Sequence, residues 1–407
     1  MEKKMETDIL NKIKFLTGNP QIMKNTLDVA SKMPFDNEIL NFLDALSKAI
    51  IKEPMSRKYP DVVTFAFWIR RGSLNRLKLL YERSLQETIW LGRGIAFHIT
   101  PSNVPVNFAY SLAAGLLSGN RNIVRIPTKL YPQSKMILDS MNNVLLQYEK
   151  ICPYIIIVQY DRNRIINDYF SNLCDVRIVW GGNQTISELR RSPLPPKSTE
   201  ITFADRYSLA IIDSDVYLDI HDKARVAENF YNDTYLSDQN ACTSPRIVIW
   251  TGNHKDKAKA EFWSKLYEVV KRKYVFQDIQ GVDKLVSSCL AAITLKGIKI
   301  IQHKDNLVVR VQVPEINRSI LDIRDSGGYF YEYDCDQVME LMPIVNDNRC
   351  QTIGMIGDKN WIKPLIMRGI KGIDRVVDIG DTMDFDLTWD GYDMISSLSR
   401  KIKMEIS

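Results

Sequence analysis

Histidine is scarce in this chain, four in 407 residues, and the four are dispersed. The six cysteines (Cys152, Cys174, Cys242, Cys289, Cys335, Cys350) contain no CxxC pair. Neither a zinc cluster nor a disulfide framework is therefore expected. No apolar run approaches the roughly 18 residues that a membrane span requires. The opening MEKKMETDILNKIKF carries charges where a signal peptide needs an apolar core. These absences predict a soluble, cytoplasmic protein with no membrane span. Charge of one sign is also lacking: 54 basic and 49 acidic side chains leave a net +5. The basic residues are scattered, apart from short groups such as Lys255, Lys257 and Lys259, so no nucleic-acid groove is expected. The small excess is still compatible with anionic ligands such as a coenzyme phosphate. The common nucleotide signatures are missing too. No GxxxxGK[ST] occurs, and Gly92-Arg93-Gly94 lacks a third glycine and precedes a strand, which makes it a plain turn.

What is present is an ordinary globular composition, 45% hydrophobic and 25% charged, over a length that can bury more than one core. Residues 1 to about 90 mix charged and apolar positions at helical spacing and carry no recognisable chemistry. From Gly94 the texture changes. GIAFHIT reads as a strand, TPSNVP as a turn, VNFAYSLAAGLLSGN as a buried helix and NIVRIP as a second strand, which together make one βαβ unit. YIIIVQY, RIINDYFSNL and VRIVWGGN repeat the pattern. YSLAIID, ARVAENFYNDTYL and RIVIW continue it around the polar stretch DQNACTSP. Alternation from 255 to 345 is less clear, and SPLPPKS (192 to 198) is the best exposed turn. The whole reads as an α/β protein with at least one doubly wound parallel sheet.

Two residues stand out chemically. Cys242 lies in LSDQNACTSPR, a polar loop between a predicted helix and a strand, whereas the other cysteines lack such a setting. It is either a nucleophile or an ordinary loop thiol, and activation would need a cation, a helix N-terminus or a base nearby. Asn103, between Pro101 and Pro105, sits on a stiffened turn after a strand. Its amide either faces a developing oxyanion or caps the following helix. His98, inside FHIT, reads as a satisfied core residue.

ITPSNVPVNF, SGNRNIVRIP, WGGN, DQNACTSPR and WDGYD occur in the order seen in the LuxC family of acyl-CoA (long-chain fatty-acyl) reductases, which belongs to the aldehyde dehydrogenase superfamily. The resemblance runs from about residue 90 to 400. It implies an aldehyde-dehydrogenase-like fold, with a doubly wound cofactor domain and a second α/β catalytic domain. In that scheme residues 1–90 form an N-terminal helical segment of the cofactor domain and 91–215 the nucleotide-binding domain. Residues 216–375 form the catalytic domain, and 376–407 return to the cofactor domain or an oligomer interface. Cys242 resembles the acylated nucleophile, Asn103 the oxyanion-hole asparagine, and Glu200 in STEITF the acid/base glutamate. For cofactor binding the resemblance implies Thr100, Arg125, Lys129, Gly181, Gly182 and Glu340, with NADPH preferred because Arg125 and Lys129 could face a 2′-phosphate. The implied activity is reduction of an acyl group, taken from acyl-CoA or an activated fatty acid, to an aldehyde. An acyl-protein synthetase partner and a homo-oligomer are implied as well. The alternatives are a short-chain CoA-acylating aldehyde dehydrogenase, a cofactor-free cysteine acyltransferase or thioesterase, and a non-catalytic scaffold.

Overall fold

The structure is a computed structural model and describes residues 8–84 and 88–403. By compactness the chain forms two units. One takes in the chain up to Ala204 together with the segment from Tyr392 onward; the other is Asp205–Gly391. The division falls ahead of the strand beginning at Tyr207, whereas the resemblance put it after residue 215. Likewise it falls at 391, not 375. The strand from Tyr207 belongs to the second sheet, and so does Arg375–Asp378, which a boundary at 375 would cut.

In the first unit the expected helices appear at Pro20–Asp28, Asn37–Lys52, Pro60–Trp68 and Arg71–Ser84. The parts of the helical expectation that fall on residues 1–7 and 85–87 lie outside the described residues. The strands are β1 (Lys14–Thr17), β2 (Ile89–Gly92), β3 (Ile95–Ile99), β4 (Arg121–Ile126), β5 (Ile155–Gln159), β6 (Val176–Trp180) and β7 (Thr199–Phe203). Six of them form one sheet in the order β1-β5-β4-β3-β6-β7. All pairs are parallel except β1 with β5. β1 was not foreseen, because a four-residue edge strand (KFLT) carries too little pattern to separate from a helix. β2 pairs antiparallel with the strand Ser399–Ile402. β3, β5 and β6 are buried at every position, as expected of parallel strands covered by helices on both faces. Ile95, Phe97 and Ile99 pack with Ile123, Ile156 and Val158 against Ile166 and Phe170 of the helix Arg164–Leu173.

The second unit holds β8 (Tyr207–Asp213), β9 (Pro245–Thr251), β10 (Lys299–Gln302), β11 (Val309–Gln312), β12 (Tyr329–Asp334), β13 (Cys350–Ile356) and β14 (Arg375–Asp378). Their order is β10-β11-β12-β9-β8-β13-β14, and only β10 runs antiparallel to its neighbour. Side chains alternate between two cores, as the period of two requires. Leu209, Ile211, Ile247 and Ile249 face one side, and Ala210, Ile212, Val248 and Trp250 face the other. No helix among the described residues is long and apolar enough to cross a membrane.

Candidate active site

The first sheet reverses its winding at β3, with β4 and β5 on one side and β6 and β7 on the other. In open α/β sheets ligands bind outside the carboxyl ends of the strands at such a reversal. Two of the sequence motifs leave the sheet there: the turn from Thr100 to Asn103 follows β3, and Gly181-Gly182 follows β6. A cleft at this edge is lined by Thr100, Ser102, Pro105, Lys129, Tyr131 and Ser134, so two of the expected cofactor residues meet.

The turn is fixed by its own hydrogen bonds. Thr100 Oγ1 donates to Arg125 O at 3.0 Å, and Ser134 Oγ donates to Pro105 O at 2.7 Å. Arg125 Nη2 donates to Tyr160 O at 3.3 Å, and its guanidinium lies 5.3 Å from the Tyr160 ring centroid. Its Nε is buried without a partner among the described residues. Lys129 is exposed, with Nζ 4.8 Å from the Tyr131 ring centroid. The Gly181 amide donates to Phe203 O at 3.1 Å. A Cβ on Gly181 would stand 3.2 Å from Thr185 Cγ2, so a larger residue there would press on the start of the helix Asn183–Leu189. Gly182 occupies the position before that helix and offers no side chain to cap it. Asn103 is exposed. The helix Asn107–Leu117 is preceded by Val106 and has no side-chain cap, so the capping alternative for Asn103 is not realised. His98 is fully buried. Its Nδ1 lies 2.7 Å from Ser111 Oγ and its Nε2 3.0 Å from Asn122 Oδ1, which makes it the core histidine expected.

In the second unit Cys242 sits on the loop between the helix Lys223–Thr234 and β9. Asp238 and Gln239 turn this loop through left-handed conformations, φ 50° and 57°. Gln239 is fully buried and spends its whole amide on the backbone. Nε2 donates to Pro245 O and Tyr329 O, at 2.9 and 3.1 Å, and Oε1 accepts from the amides of Gly328 and Tyr329, at 3.0 and 3.1 Å. Ser208 Oγ donates to Cys242 O at 2.8 Å and accepts from Thr352 N at 3.2 Å. The conspicuous DQNAC is thus a clamp, Gln239, followed by the residue it positions.

Cys242 is a half-buried residue. Burial pushes its thiol up to about 12, and the nearby Asp390 carboxylate adds to the effect. A hydrogen bond from the Gln351 side chain and the backbone amides of Cys242 and Thr243 oppose it. The resting group is therefore a thiol. Asp390 is itself raised to about 6 by burial, against the pull of Arg206 and of Gln351. Arg206 Nε stands 3.6 Å from Asp390 Oδ2, and Gln351 Nε2 donates to Asp390 Oδ1. Arg246, lowered to about 10 by burial, donates from Nη2 to Gln239 O at 3.1 Å and faces the same region. The sequence reading missed Gln351 and Asp390. Asp390 was within sight as the aspartate of WDGYD, whereas Gln351 gives no signal inside a buried strand.

Two expected site residues are already engaged. Glu200, on β7, sits opposite Arg177 of β6 in the register. Its Oε2 takes Arg177 Nη2 at 2.6 Å, and its Oε1 takes Arg190 Nε at 2.8 Å. Glu340 closes a capping box: Oε1 accepts from Gln337 N at 2.6 Å, and Oε2 accepts from Tyr333 Oη at 2.5 Å. Neither carboxylate has an oxygen left unbonded, which argues against the acid/base and ribose-binding roles expected for them.

Residues 8–277 match the family model described as acyl-CoA reductase (LuxC). A long-chain acyl-protein thioester reductase of Photorhabdus luminescens is 22% identical over 300 residues, covering 71% of this chain and 58% of that protein. A protein of the same description from Aliivibrio fischeri is 21% identical over 299 residues. The chain therefore spans less than two thirds of the length of these relatives. Among solved structures, the NADP-dependent glyceraldehyde-3-phosphate dehydrogenase of Bacillus halodurans C-125, complexed with NADP, superposes with a TM-score of 0.62 at 14% identity. That match covers 94% of this chain and 89% of the other. An indole-3-acetaldehyde dehydrogenase complexed with NAD+ gives 0.64 at 12%, covering 94% and 88%. The architecture is that of the aldehyde dehydrogenases, and the chain belongs to the acyl-CoA reductase (LuxC) family.

Proposed function

We propose that the chain is an acyl reductase in which Cys242 accepts an acyl group from a thioester and releases it as an aldehyde. The observation that carries this reading is the Cys242 loop. It is clamped by Gln239 and holds Cys242, a half-buried residue whose sulfur is favoured in its charged form by the backbone amides of Cys242 and Thr243. Attack of that sulfur on the donor's carbonyl carbon forms one C–S bond as the donor's C–S bond breaks. The donor leaves as a thiol, carrying a proton that replaces the one Cys242 gave up. One thioester replaces another, so the exchange is nearly balanced in free energy. Asn103 is proposed as a side-chain donor to the oxyanion of the tetrahedral intermediate, alongside backbone amides.

The cleft beside Thr100 lies at the winding reversal, where dinucleotides bind in open α/β sheets, and carries the exposed Lys129. A bound NADPH supplies the hydride that the acyl carbon needs. Lys129 and Arg125 would hold a 2′-phosphate, with Thr100, Gly181 and Gly182 beside the pyrophosphate. Arg125 Nε is buried without a partner among the described residues. Glu200 and Glu340 are assigned structural roles. The acyl donor is proposed to be either acyl-CoA or the thiol of an acyl-protein synthetase, the latter suggested by the description of the relatives. A cytoplasmic homo-oligomer fits this role.

The test is to give the purified chain a radiolabelled acyl-CoA panel, and separately an acylated synthetase, and to follow label and NADPH absorbance. Cys242 should take the label, and NADPH should be consumed faster than NADH as aldehyde forms. Cys242→Ser should abolish both labelling and turnover. Label on another cysteine, or label that persists in the variant, refutes the assignment.

A further inference from the structure

One helix of the second unit is apolar on two opposite sides. Asp278–Thr294 (DIQGVDKLVSSCLAAIT) buries Lys284, Ser288 and Ala291 against its own unit. On its outer side Ile279, Val282, Val286, Leu290 and Ile293 follow at steps of three, four, four and three, with Leu285 beside them. All six are between 49% and 83% exposed. At about 3.6 residues per turn Val286 stands nearly opposite Lys284, so the stripe faces away from the core. A helix that is apolar all round belongs in an interior, yet this face meets solvent.

The stripe is a concentration and not scatter. Of the 22 exposed large apolar side chains among the described residues, these six fall within residues 279–293. With Val275 and Cys289, also exposed, they offer an area on the order of the 800 Å² that each partner gives to a standard interface. A monomer ordinarily leaves less than that in one patch. Nor can the helix roll to hide the stripe. Lys284 Nζ donates to Asn306 O and to Gly327 O, at 2.6 Å each, and rolling would strand that buried ammonium. A capping box between Gln277 and Gln280 fixes the helix start.

The two ends of the helix carry opposite charge. Asp278 is its first residue and Lys296 follows just beyond its last; both are exposed. Two such helices laid antiparallel about a twofold axis at Val286 set Ile279 against Ile293 and Val282 against Leu290. They also bring Asp278 of each beside Lys296 of the other, as a twofold interface requires of a self-complementary surface. A parallel pairing would instead set like charges together.

We propose that the outer face of Asp278–Thr294 is the docking surface for a second copy of this chain, with the two helices antiparallel about Val286. The proposal gives the homo-oligomer of the preceding section its interface and rests on that reading, but it does not depend on the role of Cys242.

Sedimentation of the full chain at micromolar concentration tests it. The unsubstituted protein should associate. Val286→Glu sets two carboxylates against each other at the axis, and should halve the mass of the assembly while far-UV circular dichroism stays unchanged. Val282→Lys takes its place should Val286→Glu not fold. Asp278→Lys and Lys296→Asp should each weaken association several-fold by opposing like charges, and the double exchange should restore it. Association that Val286→Glu leaves intact keeps the homo-oligomer but overturns this face as its interface. A chain that stays monomeric overturns both. A monomer that gains mass only with an acyl-protein synthetase, or that floats with phosphatidylcholine vesicles, gives the face to that occupant and overturns the proposal. So does a double exchange that fails to restore association, because the antiparallel arrangement demands that rescue.

Discussion

At the scale of single residues, the ion pair on β6 and β7 separates structure from chemistry. Arg177 is only 2% exposed. Its guanidinium is held by Glu200, by Ser171 Oγ at 2.9 Å and by Ser192 O at 2.9 Å. Glu200→Gln leaves that buried cation without its counter-ion, which should cost about 3 kcal/mol of stability, in the range for breaking a buried pair. Urea denaturation would read the loss. Acyl labelling of the folded variant should stay near normal. A variant of unchanged stability that no longer turns over would return Glu200 to the acid/base role. STEITF could not reveal this in the sequence, because nothing local says that Arg177 lies directly across a parallel ladder. The same blindness hid Gln351, whose partner Asp390 is 39 positions away in the chain. Cys242 and Asn103 could be singled out as candidates because their neighbours in sequence, DQNAC and the two prolines, mark them, and their roles are proposals.

Secondary-structure elements were legible in proportion to the length of their pattern. RIINDYFSNL is the helix Arg164–Leu173 to the residue, and VRIVW is β6. Between 255 and 345 the strands β10 and β11 have four residues each, too few for a period to declare itself. Two elements near the candidate site lend themselves to test. Asn103 lies on an exposed turn whose following helix begins without its help. Asn103→Ala should therefore leave the melting temperature nearly unchanged while lowering turnover roughly 100- to 1,000-fold, the usual cost of a lost oxyanion donor. Near-normal turnover would remove Asn103 from the site. The clamp before β9 predicts the reverse profile. Gln239→Leu strands two backbone amides and two carbonyls that are now satisfied by one side chain. At about 1–3 kcal/mol for each buried group left unpaired, the variant should lose stability and slow acylation of Cys242 together. A stable variant with normal acylation would mean that the loop holds its shape without the clamp.

For the whole molecule, two units with separate cores carry buried titratable groups of opposite consequence. In the first unit His98 is lowered to about 4, because burial disfavours its charged form more than the Asn122 hydrogen bond favours it. The unfolded chain takes up that proton near pH 6.5, so stability falls as the pH drops from about 6.5 toward 4, by up to roughly 3 kcal/mol. In the second unit Asp233 is raised to about 7, with burial outweighing the amides of Gly380 and Thr382 that donate to it. Asp390 is raised in the same direction. A raised carboxyl contributes stability that is complete below its unfolded value near 3.9 and is lost as pH rises through its folded value. Between pH 4 and 6.5 the first unit should thus gain stability with rising pH while these carboxyls weaken the second. Scanning calorimetry over a pH series should resolve two transitions that move in opposite directions. His98→Gln should flatten only the acid-labile one, and Asp233→Asn only the one that weakens toward neutrality. A single transition whose pH dependence neither variant alters would show that these buried groups do not govern the stability of the two cores.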